Sequence, residues 1–383
     1  MALVAPVSLD YEKFSEHDAS WFFGRNLAAL IEAAGLQKSD IDGLAVSSFT
    51  LAPDSVIGLT EAFNIAPRWI EQFYTGGASG VMAMQRAARA IQCGDASVVA
   101  CIGADTNRKG GFKDTIANFS TPSKYAVYPY GAAGPNGVFS LITQNYMNTY
   151  GATREDFGRI GVAQRYNAGA YSLALLQEPY SMEDYMSARA IAEPIHLLDC
   201  VMPCAGSDGF LAMSIERAEA LGLPYARILA ADERHNAFYE DEILIRGGWR
   251  LYRDDLYEMA GVTPDDVDFL QAYDDYPVIV MLQIEELGFC GAGEGPDFVR
   301  RTDLTFDGGG FPVNTNGGQL SAGQAGAAGG FLGLVETIRQ LTTDKLENQV
   351  ENANIGMVGG FGMVVYDHCL CHSAAILARG GIQ

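Results

Sequence analysis

The feature that most limits what this chain can fold into is an internal echo. "AAGLQKSDIDGLAVSSF" (33–49) returns as "MAGVTPDDVDFLQAYDD" (259–275): Ala34-Gly35 answers Ala260-Gly261, and at the same offset Asp40, Asp42 and Leu44 meet Asp266, Asp268 and Leu270, while Ile41 meets Val267. Each copy reads as a helix ending at Ala-Gly, a polar turn and a short buried strand, because glycine ends helices and "IDGLAV" or "VDFLQA" has strand length. "GVMAMQRAARAIQCGDASVVACIGAD" (80–105) repeats the theme as a helix of small residues, a Gly-Asp turn and an apolar strand. "FLGLVETIRQL" followed by "ANIGMVGGFGMVVYDHCLCHSAAIL" repeats it again near the end. Helices alternating with buried strands predict a layered α/β architecture. We expect two like halves, 1–222 and 223–383, the first interrupted over about 108–191 by "RKGGFKDTIANFSTPSKYAVYPYGAAGPNG" and helical segments beyond it. So long an interruption predicts a lid or substrate-covering insertion.

With 383 residues, 48% of them hydrophobic, each half can bury a core. No run of 18 apolar residues occurs, and the start "MALVAPVSLDYEKF" lacks a basic flank and cleavage pattern, so no membrane span and a cytoplasmic location are expected. Seven scattered cysteines suit reduced core thiols better than a disulfide framework. A net charge of −22 argues against nucleic acid, whose phosphates would be repelled. An anionic ligand would need local cations or a partner's.

Loops beyond the carboxyl ends of strands carry the ligands of open α/β sheets. The second copy's strand runs out into "QAYDDYPV" (271–278), which makes Tyr273, Asp274, Asp275 and Tyr276 candidates. "NTNGGQLSAGQAGAAGG" (314–330) precedes a helix, and its glycines allow a backbone to approach a ligand closely. It matches neither a phosphate loop nor a dinucleotide fingerprint.

That glycine stretch, with "AAGLQKSDIDGL", "GGASGVMAMQRAARAIQCGDASVV", "LLDCVMPCAGSDGFLAMS" and "LQIEELGFCGAGEG", resembles the thiolase superfamily over nearly the whole chain, especially the sterol carrier protein X thiolase-like group. The resemblance implies a thiolase fold: duplicated βαβαβαββ halves in an α-β-α-β-α stack with an inserted loop region. Thiolases place a nucleophilic cysteine before a helix, but "GGASG" puts Gly77 there, so acyl transfer to that position is impossible. The family's Gly-His-Pro reads Gly323-Gln324-Ala325, and its His-Asp-Cys-Phe reads Tyr273-Asp274-Asp275-Tyr276, so both active histidines are missing. This combination resembles the lipid-transfer-protein-type steroid side-chain aldolases, which cleave a β-hydroxyacyl-CoA into a ketone and a shortened acyl-CoA. The resemblance implies Tyr273 and Tyr366 as acid and base, a homodimer, and a small OB-fold, zinc-ribbon partner that holds the acyl-CoA in a heterotetramer. Any zinc would belong to that partner; this chain needs no cofactor of its own, CoA being part of the substrate.

Retro-aldol cleavage needs a base for the β-hydroxyl proton, donors for the thioester oxygen, and an acid for the α-carbon, but no covalent nucleophile. A phenol with pKa about 10 costs about 4 kcal/mol to ionise at neutral pH, and neighbouring aspartates raise that cost. Strand alternation would put Asp275 on the side of Tyr273, which leaves open whether Asp275 is the base and Tyr273 a donor. Gln324 is the candidate oxyanion donor; Gly77, Gly323 and Tyr276 complete the substrate-binding set, Gly77 supplying space.

Other residues promise less. In "DHCLCH" alternation sends Cys369 and Cys371 to the face opposite His368 and His372, which argues against a metal. Cys200 and Cys204 read as a buried structural pair; Ser79 lacks a nucleophile elbow; His17, His196 and His235 have no partner recognisable in sequence. The rival readings are a thiolase-type acyltransferase with a displaced nucleophile such as Cys369, and a noncatalytic acyl-CoA or lipid carrier.

Overall fold

The computed structural model describes residues 1–111, 117, 120–131, 134–365 and 368–381. Its strands are β1 (Ala2–Glu12), β2 (Gly43–Ser47), β3 (Trp69–Phe73), β4 (Val98–Asp105), β5 (Ala190–Ala192), β6 (Ile195–His196), β7 (Ala205–Met213), β8 (Ala226–His235), β9 (Phe269–Gln271), β10 (Ile355–Val365) and β11 (His368–Arg379). All but the β5–β6 hairpin join one mixed sheet in the order β3-β2-β4-β7-β1-β8-β11-β10-β9. The two arms meet where β1 pairs with β8 through only Ala2↔Arg227 and Leu3↔Ala226. The central strands β2, β4 and β7 are buried throughout, as strands covered on both faces must be.

The repeated residues explain themselves in three dimensions. Gly35 and Gly261 both take left-handed backbone (φ +63 and +69) at helix ends, where a side chain would be strained. Asp40 accepts from the Gln37 N–H and Asp266 from the Thr263 N–H, each at 2.8 Å, closing the same short turn. Asp42 accepts from Ser97 and Val98 N–H at 2.7 and 2.8 Å, and Asp268 accepts from Asn354 and Ile355 N–H at the same two distances. In each copy the aspartate pins the turn to the first residues of the neighbouring strand.

The helices Ser79–Gln92 and Gly329–Thr342 form the inner layer. Their small residues let them cross in contact: a Cβ on Gly80 would fall 2.1 Å from the Gly330 carbonyl oxygen. Val81, Met84, Phe331, Leu334 and Ile338 share one buried cluster with Phe210 of the first arm and Phe269 of the second. Burying each such large side chain contributes roughly 1.5–3 kcal/mol.

The described part of the insertion is a packed layer. Phe139, Ile142 and Tyr146, from helix Pro135–Tyr150, and Phe157 and Ile160, from helix Arg154–Gly169, bury against Tyr276, Ile279 and Met281 of the second copy. First-half chain thus walls in the site that the second half carries. No helix among the described residues is long and apolar enough to cross a membrane.

Candidate active site

β9 is shorter than its sequence suggests because side chains take over its backbone partners. The Ala272 N–H donates to Asn314 Oδ1 at 2.7 Å, the Tyr273 N–H donates to Gln283 Oε1 at 3.0 Å, and Gln283 Nε2 returns a bond to the Tyr273 carbonyl at 2.7 Å. The chain therefore leaves the sheet at Gln271 and turns through residues 272–276 into helix Pro277–Glu286. Tyr273 and Asp275 do converge, but through this turn and not through strand alternation.

A cleft of about 280 Å³ opens over them. Tyr273, Asp275, Tyr276, Gln324 and Gly77 line it, as do Asn136, Val138 and Phe139 of the insertion. Gln324 Nε2 donates to Asp275 Oδ1 at 2.5 Å and to the Tyr273 hydroxyl at 3.4 Å, so one amide joins the carboxyl and the phenol. Three groups from two segments thus converge on the Gln324 amide. Burial pushes the Asp275 carboxyl up to about 7 against the pull of those bonds. Burial, and then the Asp275 charge beside it, hold the Tyr273 phenol well above its ordinary value.

Gly77 differs from expectation. A Cβ there would lie 2.0 and 2.1 Å from Cε2 and Cζ of Tyr273 and 2.3 Å from the Phe361 carbonyl oxygen. The room left by a missing side chain is filled by the tyrosine ring, so Gly77 seats Tyr273 more than it accommodates substrate. Tyr276 stacks on Phe139 with centroids 4.1 Å apart and donates to Asn136 Oδ1 at 2.5 Å.

Two sequence candidates lie elsewhere. Asp274 turns away from the cleft and accepts from the backbone N–H of Gln319 (2.9 Å) and Leu320 (3.1 Å) and from Gln164 Nε2 (2.8 Å). It anchors the glycine stretch, and the placement of Asp274 among the catalytic groups is corrected accordingly. Gly323 does not line the cleft; a Cβ there would meet Cys204 Sγ at 2.9 Å, so its place is structural. Tyr366 lies outside the described residues.

The sequence reading missed Asp105, Asn136 and Gln283. Asp105 ends β4 and, buried, accepts from Ser48 and Thr50 side chains and from the N–H groups of Phe49, Thr50 and Ala327. Its position at a strand's carboxyl end was the available signal. Nothing local marks Asn136 or Gln283.

Cys200 and Cys204 both line the cleft, yet burial pushes the first thiol up to about 12 and the second well above its ordinary value. Cys369 is buried outside the cleft lining, with Sγ on the carbonyls of Gly362 and Cys371. The histidines sit away from the cleft with partners sequence could not reveal: His17 stacks on Trp21, His196 meets the Ala188 carbonyl, and His235 meets Cys371 Sγ. His372 is buried against Trp249 and Phe361, and burial drops its pKa to about 3.

Residues 231–378 match the family described as thiolase C-terminal domain-like. The chain is 33% identical over 351 residues to a steroid side-chain-cleaving aldolase of Thermomonospora curvata, covering 88% of each protein. It is 31% identical over 356 residues to a 17-hydroxy-3-oxo-4-pregnene-20-carboxyl-CoA lyase of Mycobacterium tuberculosis, covering 89% of this chain and 91% of that one. Among solved structures it superposes on an Ltp2-ChsH2(DUF35) aldolase with a TM-score of 0.83 at 30% identity, covering 99% of this chain and 98% of that one. A monomeric SCP2-thiolase-like protein of Mycobacterium smegmatis, at 15% identity and a TM-score of 0.69 over 98% of this chain and 76% of that one, shares the fold. The two-copy sheet, the paired inner helices and this agreement along the whole chain mean that the protein belongs to the thiolase superfamily, in the group of thiolase-like aldolases.

Proposed function

We infer that the protein is an acyl-CoA retro-aldolase, a carbon–carbon lyase that cleaves a β-hydroxyacyl-CoA bearing a bulky steroid-like or aromatic group into a ketone or aldehyde and a shortened acyl-CoA. The observation that carries this reading is the convergence of Tyr273, Asp275 and Gln324 on the cleft floor, the Gln324 amide donating to both of the others, with the tyrosine filling the space over Gly77. Such a site offers a base and donors, while burial keeps the two thiols that line it, Cys200 and Cys204, protonated and poorly nucleophilic.

Asp275 is assigned as the base, because a carboxyl raised to about 7 is substantially ionised at neutral pH and the Tyr273 phenol is not. The substrate's β-hydroxyl gives its proton to the Tyr273 oxygen as Tyr273 passes its own to Asp275, so no free phenolate forms. The Cα–Cβ bond breaks, its electron pair becomes the thioester enolate, and the β-carbon departs as the carbonyl product. Gln324 Nε2 donates to the thioester oxygen as charge collects there. The proton held by Asp275 returns along the same path to Cα and completes the shortened acyl-CoA. No step here is assigned to Tyr366.

The apolar wall of Val138, Phe139, Ile191, Leu197 and Val201 supports a bulky hydrocarbon substituent, in keeping with the substrates named for the relatives. The solved Ltp2-ChsH2(DUF35) aldolase has two components by name, and a net charge of −22 makes help with an anionic ester useful. We therefore propose a homodimer of this chain joined by a small OB-fold, zinc-ribbon partner in a cytoplasmic heterotetramer, the zinc residing in that partner.

The test is to incubate the purified chain, with and without such a partner, with a tertiary β-hydroxyacyl-CoA and follow products by mass spectrometry. A ketone and a shortened acyl-CoA formed without added CoA are expected; products that require free CoA would return the protein to acyl transfer. The buried, protonated Cys369 thiol argues against that alternative.

A further inference from the structure

Behind the cleft floor, between the end of β9, the glycine stretch and the start of helix Gly329–Thr342, lies a second cavity of about 10 Å³, the room of one water-sized sphere. Four side chains on its wall, each 1% exposed, carry a polar atom that has no partner among the described residues: Gln271 Oε1, Asn314 Nδ2, Asn316 Nδ2 and Gln319 Oε1. Native interiors almost never leave such atoms unsatisfied, and four around one small space call for a common partner.

The orientation of each amide is fixed at its other end. The Ala272 N–H donates to Asn314 Oδ1 at 2.7 Å and the Gly318 N–H donates to Asn316 Oδ1 at 2.9 Å, so the ends left over are NH₂ groups. Gln319 Nε2 donates to the Asp274 carboxyl at 3.3 Å. Gln271 Nε2 donates at 2.7 Å to Thr315 Oγ1, whose own hydrogen goes to Glu336 Oε1 at 2.8 Å. The ends left over on both glutamines are therefore carbonyl oxygens. The four residues on the cavity wall thus carry two unpartnered donors and two unpartnered acceptors. A cation would meet the two NH₂ groups and an anion the two carbonyls, each unfavourable, whereas a water molecule donates two hydrogen bonds and accepts two.

We propose that this cavity is a binding site for one internal water molecule, a four-coordinate bridge that fixes the segment carrying Tyr273 and Asp275 against the segment carrying Gln324. Gln271 and Asn314 hold the end of β9; Asn316 and Gln319 hold the start of the glycine stretch, beside the N–H groups that clamp Asp274. These four amides are positioning residues: none lines the substrate cleft, and they act through the bridge. The inference stands on the count of hydrogen-bonding groups and does not depend on the reaction assigned above.

The test is a high-resolution crystal structure of the full chain, repeated after soaks in rubidium and in bromide. A single peak at about 2.7–3.2 Å from all four atoms, unchanged by either soak, is expected. A dry cavity, amides turned to pair with one another, or a peak that strengthens with rubidium or bromide would each overturn the proposal. Gln271→Met and Asn316→Leu test the positioning role, since each removes one partner at similar volume. Both should lower kcat by about 3- to 10-fold with KM within about twofold, the pattern of a misplaced reacting group. Unchanged kcat in variants shown to have lost the water would refute that role; should either variant fail to fold, the wild-type density still decides the site.

Discussion

Asp274 and Asp275 are neighbours, the first buried and the second half-buried, and burial pushes both carboxyls up to about 7, yet they face opposite ways. Asp275 faces the cleft, where it accepts from the Gln324 amide that also donates to the Tyr273 phenol. Asp274 faces the scaffold, where two backbone N–H groups and Gln164 and Gln319 side chains occupy it. A raised pKa therefore does not by itself distinguish a reacting carboxyl from a structural one. What separates them is access: only Asp275 borders a space where a substrate atom could stand.

That contrast can be broken most strongly at the proposed base. Asp275→Asn keeps the shape but cannot take a proton, and kcat should fall about 10²–10⁴-fold with little change in folding stability, measured on the acyl-CoA substrate beside a denaturation curve. Asp274→Ala should do the reverse. It strips the acceptor from buried donors at Gln319, Leu320 and Gln164, and should cost roughly 3 kcal/mol in urea unfolding with a smaller effect on turnover.

Gly77→Ala probes the seat of Tyr273. The added methyl cannot coexist with the ring and the Phe361 carbonyl in place, so kcat should drop about 10²-fold, the size expected for an approximately 1 Å displacement. Wild-type turnover in that variant would show that the ring position does not matter.

The pH dependence sharpens the comparison further. If Asp275 is the base, kcat/KM should rise with pH, level off above about 7, and lose that limb in Asp275→Asn while keeping it in Asp274→Asn. Stability runs the other way. Both carboxyls hold a proton more tightly folded than unfolded, so their contribution to stability is fullest below about 4 and declines until pH passes about 7. Asp274→Asn should flatten part of that decline in unfolding curves taken at several pH values, the smallest of these effects.

Much of this was legible along the chain. The echo of Ala-Gly and the paired aspartates predicted the two copies because capping and strand-pinning bonds reach only a short way, so residue type at fixed spacing determines them. The glycine at 77, the glutamine at 324 and the tyrosine at 273 were likewise visible as the absence of a nucleophile and its histidines.

What the sequence alone determined, then, was the repeated α/β unit and the list of groups the chemistry has to work with. Only the tertiary structure decided which of them meet. Gln324 reaches Asp275 across 49 positions, Asn136 reaches Tyr276 across 140, and Asp105 reaches Ala327 across 222. Such pairings leave no local pattern, because burial and directed hydrogen bonds between distant segments fix which way each side chain faces; that is why two adjacent aspartates of one residue type became a candidate base and an anchor.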